Sequence, residues 1–139
     1  MANILSFFEL PNNVVGGALI PIMNNATPLG SVTIRTQAGI PVILRGTIGW
    51  TAVRNATGSS RADILYRLWR GAPVTGTELY STQDSAEAGR DRNKVTSVSQ
   101  ADTGFGGSQD VTYTLTAELV NDGAANVVGP LTFYAAMNP

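Results

Sequence analysis

The chain has 139 residues, which is enough for one domain with a hydrophobic core and too few for two comfortable ones. Nine Lys and Arg residues stand against ten Asp and Glu residues, so the chain lacks the basic excess that nucleic-acid binding needs. Cysteine and histidine are absent, which excludes disulfides, thiolate chemistry, most zinc sites and His-dependent hydrolysis. We therefore expect protein partners and no cofactor.

The N-terminal segment, residues 1–13, combines dense apolar side chains with a Pro-Asn-Asn sequence at its end. It has no basic n-region and is far shorter than a membrane span, so we expect neither a standard secretory signal nor a membrane anchor. A free tail of this kind would expose an adhesive surface and must dock, either on its own domain or on a neighbouring copy. The expected docking residues are Ile4, Leu5, Phe7, Phe8 and Leu10.

A flexible joint is predicted between this N-terminal arm (1–13) and the remaining domain (14–139). Pro11, Gly16 and Gly17 are the expected hinge residues, because proline and paired glycines interrupt regular strand pairing. An arm that docks into a different surface of the next copy makes a contact that does not close on itself. Such contacts propagate as a filament.

The following residues alternate between short extended runs and turn signals. Residues 14–23 are predicted as a first, interrupted strand, and residues 31–37 as a second. The longest run, 42–55, contains two glycines that indicate a bulge. Residues 62–70 are apolar on both parities, which predicts cover on both faces, by a second sheet on one side and another subunit on the other.

The second half of the chain carries the clearest strand, Val111 to Leu119, in which apolar residues alternate with threonines and a final glutamate. It is predicted as a central strand with one face on the core. Shorter strands are predicted over 77–81, 95–101 and 129–137, with a charged loop at 84–94. About eight strands and no helical period predict an all-β fold, a single antiparallel jelly-roll β-sandwich.

Candidate chemical sites are few. Asp102-Thr103-Gly104 matches the tripeptide of aspartic peptidases, which need two such aspartates and hence a symmetric dimer. The residues around it fit that pattern poorly, and a tight turn is the alternative. Asp84, Glu87 and Asp91 could bind a hard cation, but interleaved basic residues favour a solvated, ion-paired loop. We assign no catalytic, cofactor-binding or metal-binding residue and expect no enzyme.

Aromatic side chains offer a second kind of site. Trp50, Tyr66, Trp69 and Tyr80 could form a sugar-stacking platform, although aromatic residues within apolar strands are usually part of the core. Phe105, in a glycine-rich loop, could be an exposed apolar knob at a subunit contact or could be tucked against the domain. A lectin-like or receptor-binding head therefore stays open as the alternative function.

Five short motifs lie within roughly residues 30 to 137: Leu65-Tyr66-Arg67-Leu68-Trp69-Arg70-Gly71, Asn93-Lys94-Val95-Thr96-Ser97, Asp102-Thr103-Gly104, Val111 to Glu118, and Asn126 to Phe133. Taken together, they resemble exosporium and spore-appendage proteins of Bacillus-like spore formers.

This resemblance implies a trimeric jelly roll of the complement C1q and tumour-necrosis-factor type, with a short N-terminal connector that joins one trimer to the next. Ile4 to Asn13 would be that connector. The chain differs from some spore appendages in having no cysteine, so any fibre would be non-covalent. The expectation is a self-assembling subunit of a fibre or coat layer on a spore surface. Its partners would be further copies and a surface anchor protein.

Overall fold

The computed structural model describes residues 4–10, 12–91 and 93–139. Within these ranges the chain forms nine β-strands and no helix, and so the described residues contain no helix long and apolar enough to cross a membrane. The strands are β1 (Ile4–Glu9), β2 (Ile20–Pro21), β3 (Thr27–Arg35), β4 (Val42–Val53), β5 (Arg61–Arg70), β6 (Thr77–Glu87), β7 (Lys94–Asp102), β8 (Asp110–Leu119) and β9 (Ala124–Met137).

The strands form two antiparallel sheets packed face to face. One sheet has the order β1-β9-β4-β7, with the short β2 also paired to β9, and the other has the order β3-β8-β5-β6. Apart from β1 and β2 and the β5–β6 hairpin, consecutive strands lie in different sheets, which is the connectivity of a jelly roll. The predicted fold class, an all-β antiparallel jelly-roll sandwich, is confirmed.

The core lies between the sheets and follows from the two-residue period of the strands. In β8, Val111, Tyr113 and Leu115 point inward and are buried, while Thr112 on the opposite parity is exposed. The strand lies between β3 and β5 in its sheet, as predicted for a central strand. The largest fully buried side chains come from both sheets: Trp50, Tyr66, Tyr113, Phe133, Leu44 and Ile48.

Two strands begin earlier than predicted, β3 at Thr27 and β9 at Ala124, and two further predictions are wrong. Only Ile20–Pro21 of residues 14–23 is strand, because this stretch follows β9 through a few irregular hydrogen bonds and not through a continuous ladder. The segment expected as a strand over 77–81 and then a charged loop is one strand, β6, up to Glu87. The polar residues of β6 lie on an edge strand with one side facing solvent, so their polarity suggested a loop although the segment is a strand.

The bulge predicted in β4 is present. The pairing of β4 with β9 shifts in register between Ile48 and Trp50. At Gly49, between them, a Cβ atom would lie 2.1 Å from the carbonyl oxygen of Gly129 on β9. Only glycine permits this close approach of the two backbones.

Candidate assembly surface

The predicted arm is a strand at the edge of the five-stranded sheet. Residues of β1 pair antiparallel with β9 of the same chain, from Ile4 opposite Met137 to Glu9 opposite Thr132. Within one copy, the segment therefore docks on its own domain, which was one of the two alternatives open from sequence.

The five predicted docking residues divide between two faces of β1. Ile4, Phe8 and Leu10 are partly buried and pack against the core. Leu5 and Phe7 point the opposite way and are 57% and 60% exposed. The first set attaches the strand to a domain, and the second set leaves an apolar surface without cover.

The Phe8 ring occupies a specific site against Gly30, which we call the Phe8 seat. At Gly30 of β3, a Cβ atom would lie 2.6 Å from the Phe8 ring. The absence of a side chain at Gly30, next to a register shift in the pairing of β3 with β8, makes room for the ring between the edges of the two sheets. Phe8 therefore anchors β1 by filling this space.

Of the predicted hinge residues, Pro11 lies outside the described residues. Gly16 and Gly17 lie in a compact turn against β9, where Gly16 N–H donates to the Val128 carbonyl at 3.0 Å. Gly16 has a φ of 83°, and a Cβ at Gly17 would lie 1.9 Å from the Asn12 carbonyl oxygen. Both glycines are needed for this turn, and a hinge role for them stays a prediction.

Part of the outer face of the five-stranded sheet, which we call the A-face, consists of side chains arranged in three cross-strand rows. The register of β1, β9, β4 and β7 aligns one residue from each strand in every row. The rows are Leu5–Ala136–Ile43–Ala101, Phe7–Tyr134–Arg45–Ser99 and Glu9–Thr132–Thr47–Ser97. The first row is wholly apolar, and the other two consist mostly of small or uncharged residues.

Charge separates the A-face from the opposite outer face. Among the described residues, these three rows contain only Arg45 and Glu9 as charged groups. The outer face of the four-stranded sheet instead holds the ion pairs Arg35–Asp110, Arg61–Asp63, Arg67–Glu78 and Arg67–Glu118. A charged face is typical of contact with water, and depletion of charge is typical of the centre of an interface.

The electrostatics of the charged face are local. Hydrogen bonds from Ser85 and then Arg61 hold the pKa of the Asp63 carboxyl below its usual value. The same carboxylate raises the pKa of the Arg61 guanidinium, through a hydrogen bond of 2.8 Å. Since these groups are largely solvated, they keep the face hydrophilic and contribute little to stability.

The A-face also has a recess of about 570 Å³ beside the exposed Phe7. It arises because Thr47, Ser97 and Ser99 are small, while the longer side chains of Arg45 and Tyr134 form its wall. The lining residues are Arg45, Gly46, Thr47, Ser97, Ser99, Thr132 and Tyr134. A second, apolar depression of about 460 Å³ lies between Leu5, Phe7 and Tyr134. The exposed Phe7 side chain, which projects from the surface, and the recess therefore lie next to each other on the A-face.

Asp102, the candidate peptidase residue, is part of a structural ion pair. Its carboxylate is 3% exposed and accepts hydrogen bonds from the Arg70 guanidinium, with the Nε–Oδ2 distance at 2.8 Å. The Tyr113 hydroxyl also donates to Asp102 at 2.8 Å. Burial, and then the hydrogen bond to Asp102, raise the pKa of Tyr113 above its usual range. Both carboxylate oxygens are occupied, so the side chain does not face a substrate cleft.

Of the aromatic residues considered as a sugar platform, three are buried, and Tyr80 is partly buried and packs against the core. Trp50 and Tyr66 have no exposed surface and meet edge to face, with ring centroids 6.3 Å apart. Burial raises the pKa of the Tyr66 hydroxyl, which has no hydrogen-bond partner among the described residues. Trp69 is buried under Arg67 on the outer face, and Phe105 is tucked down, with the Arg70 guanidinium 5.8 Å from its ring centroid.

The acidic residues of the charged stretch have separate partners. Asp84 accepts a 2.6 Å hydrogen bond from Thr96 and lies 3.6 Å from the Lys94 ammonium. Glu87 accepts from a serine hydroxyl, and Asp91 accepts from the Glu87 backbone N–H. Among the described residues, no group of three or more acidic, histidine or cysteine side chains is placed to hold a metal ion.

Sequence reasoning missed the A-face itself. Its rows draw on four strands that are far apart in the chain, and only the pairing of β9 with both β1 and β4 brings them together. The available signal was the run of small, uncharged residues at alternate positions of β7 and β9, such as Ser97, Ser99 and Thr132.

Comparison with known proteins extends the fold assignment. No protein-family model and no curated protein matches the sequence. Among solved structures, the Eiger TNF of S. frugiperda matches with a TM-score of 0.51 and 11% identity, over 99% of this chain and 92% of that protein. Latent PorU from Porphyromonas gingivalis matches with a TM-score of 0.50 and 12% identity, over 98% of this chain and 13% of PorU. The chain has a TNF-like jelly-roll fold.

Proposed function

We propose that this protein is a self-assembling structural subunit that forms homo-oligomers through the A-face and joins them into an extracellular fibre or coat layer. The observation that carries the proposal is the contrast between the two outer faces. One is covered with ion pairs, whereas the other exposes Leu5 and Phe7 on a surface whose three rows hold only two charged residues, Arg45 and Glu9. Soluble proteins generally keep large apolar side chains from clustering on a solvent-facing sheet.

The A-face suits another copy of the same chain. The exposed Phe7 and Leu5 lie beside a recess lined by small hydroxyl residues, so a rotated copy can place its projection in the recess of its neighbour. Closed rotational symmetry is the usual arrangement of homo-oligomers. A trimer is the stoichiometry that the resemblance to spore-surface proteins implies.

β1 provides a way to link such oligomers. Among the described residues, β1 contacts β9 and, through Phe8, the seat next to β3, and residues 12–19 before β2 are in no strand. A β1 strand from one copy would find the same β9 edge and the same seat on a neighbour. Because the contacts are identical in both arrangements, exchange has a low energetic cost. Ile4, Phe8 and Leu10 are the anchors in this exchange.

The proposed location is a spore surface, outside the cell, with an anchor protein as a further partner. The support for this location is the set of short motifs in residues 30 to 137 that resemble exosporium and spore-appendage proteins. The low charge and the absence of cysteine favour non-covalent association.

Negative-stain electron microscopy of the full chain, beside a chain that begins at Val14, tests the linking step. We expect fibres or layers from the full chain and compact, unlinked particles from the shortened one, which also lacks Leu5, Phe7 and Glu9 of the A-face. Far-UV circular dichroism shows whether the shortened chain keeps its sheets. Long polymers from a folded chain without residues 1–13 would contradict the linking role of β1.

A receptor- or glycan-binding head is the second function that an observation favours. The recess on the A-face is open in a single copy and is lined by hydroxyl groups, an arginine and a tyrosine, which suit hydrogen bonding to a sugar. Glycan-array binding that is lost on Arg45→Ala, with an unchanged fold, would support this function. A chain that stays monomeric would make it the better proposal.

A further inference from the structure

Arg45 and Glu9 are isolated charges on a surface that otherwise has none. Arg45 lies in the second row of the A-face beside Tyr134, and Glu9 lies in the third row beside Thr132. Both side chains are exposed, and neither forms a salt bridge within the described part of its own copy. On the opposite face, by contrast, Arg35, Arg61 and Arg67 each have a carboxylate partner.

The two charges are too far apart to be a local pair. One strand, β9, lies between them, so they are two inter-strand spacings and one row apart, which corresponds to about 12 Å between Cα atoms on an ordinary sheet. Each copy therefore presents one positive and one negative point on the same face. That pattern is self-complementary, because a second copy offers the opposite charge for each of them.

Covering the A-face would remove both groups from water. A charge that is buried without a partner is strongly unfavourable, so the two charges must be paired if the face is an interface. In a cyclic oligomer, each interface brings Arg45 from one copy and Glu9 from the next. In a face-to-face dimer, the same pair occurs twice.

We infer that Arg45 of one copy forms an ion pair with Glu9 of another copy, and that this pair fixes how the A-faces align. The occupant of the A-face is then a second copy of this chain, selected by charge complementarity. The inference rests on the proposed homo-oligomer and adds the residues that set its alignment. An Arg-carboxylate pair is directional and so favours one relative orientation over others.

Charge reversal tests the pair directly. Arg45→Glu and Glu9→Arg each place like charges together, and the double variant with both changes restores opposite charges. We expect each single change to weaken association by about 30-fold or more, since like-charge juxtaposition in an interface is strongly unfavourable. The double variant should return to within about threefold of the unmodified chain. Sedimentation velocity over a concentration series gives the dissociation constants.

Arg35→Glu is the matched control, because Arg35 is an exposed arginine on the opposite face. It should leave association unchanged, and thermal unfolding should show that all four variants are folded. If the single changes weaken association and the double variant does not restore it, the proposed ion pair is overturned, although the A-face would still be the interface. Unchanged association in every variant would also overturn it. An unmodified chain that is monomeric would instead refute the homo-oligomer itself.

Discussion

Replacing Asp102 by alanine should destabilise the domain by about 3 kcal/mol. The change removes a charge-assisted interaction with Arg70, worth about 1.5–3 kcal/mol, and leaves the Tyr113 hydroxyl without its acceptor, which costs about 1–3 kcal/mol. Tyr113 has no exposed surface, so water cannot replace the carboxylate there. The Arg70 side chain is 37% exposed and can be partly rehydrated, and therefore the lower half of the summed range applies.

Equilibrium unfolding in urea measures this loss, and Asp110→Ala provides the comparison. Asp110 also pairs with an arginine, Arg35, but both side chains are about two-thirds exposed. Such a pair contributes about 0–1 kcal/mol. If both variants lose a similarly small amount of unfolding free energy, the reasoning is refuted, because the burial of Asp102 would then add nothing to its contribution. A peptidase activity lost in Asp102→Asn would refute its structural role.

The remaining predictions concern β1, a close backbone contact and alkaline pH. Phe8→Ala should lower the free energy of unfolding by about 2 kcal/mol because it empties a seat between the sheets, whereas Phe7→Ala should weaken association and leave monomer stability nearly unchanged. Gly49→Ala should lower the free energy of unfolding by about 2–3 kcal/mol, since the new Cβ would meet a β9 carbonyl oxygen. An unchanged free energy of unfolding would contradict the close approach of the two backbones at the bulge. The raised pKa values of Tyr66 and Tyr113 mean that the folded state retains protons that the unfolded state loses above its ordinary pKa of about 10, so the contribution of these two hydroxyls to stability should be constant below that pH and fall above it. Absorbance titration at alkaline pH should show both hydroxyls ionising only with unfolding, and reversible ionisation near the ordinary value in the folded chain would contradict their burial.

Strand periodicity made the fold predictable. The alternation in Val111 to Leu119 specifies one buried and one outer face, and that pattern depends only on neighbouring residues. The bulge in β4 was also predictable, since Gly49 within a strand indicates a close backbone approach. What these patterns could not give was the partner of each strand, which depends on contacts between distant parts of the chain.

The candidate site was predictable only in part for the same reason. Sequence singled out Leu5, Phe7 and Phe8 together, but only the register with β9 shows that Phe8 faces the core while the other two face outward. Trp69 suggested cover by another subunit, yet the two-residue period of β5 places it on the same outer face as Arg67 of its own chain, whose guanidinium lies 5.5 Å from its ring centroid. Long side chains from the same sheet can supply cover that periodicity alone would assign to a partner.

The most direct test of the account is the molar mass of the full chain in solution, measured by light scattering over a range of concentrations. The account predicts a mass that is a multiple of the 14.6 kDa subunit and that falls to a smaller species when Phe7 is replaced by aspartate. Val74→Asp is the control, because Val74 is equally exposed but lies in the turn between β5 and β6. A mass of 14.6 kDa at every concentration, with no effect of Phe7→Asp, would contradict assembly through the A-face.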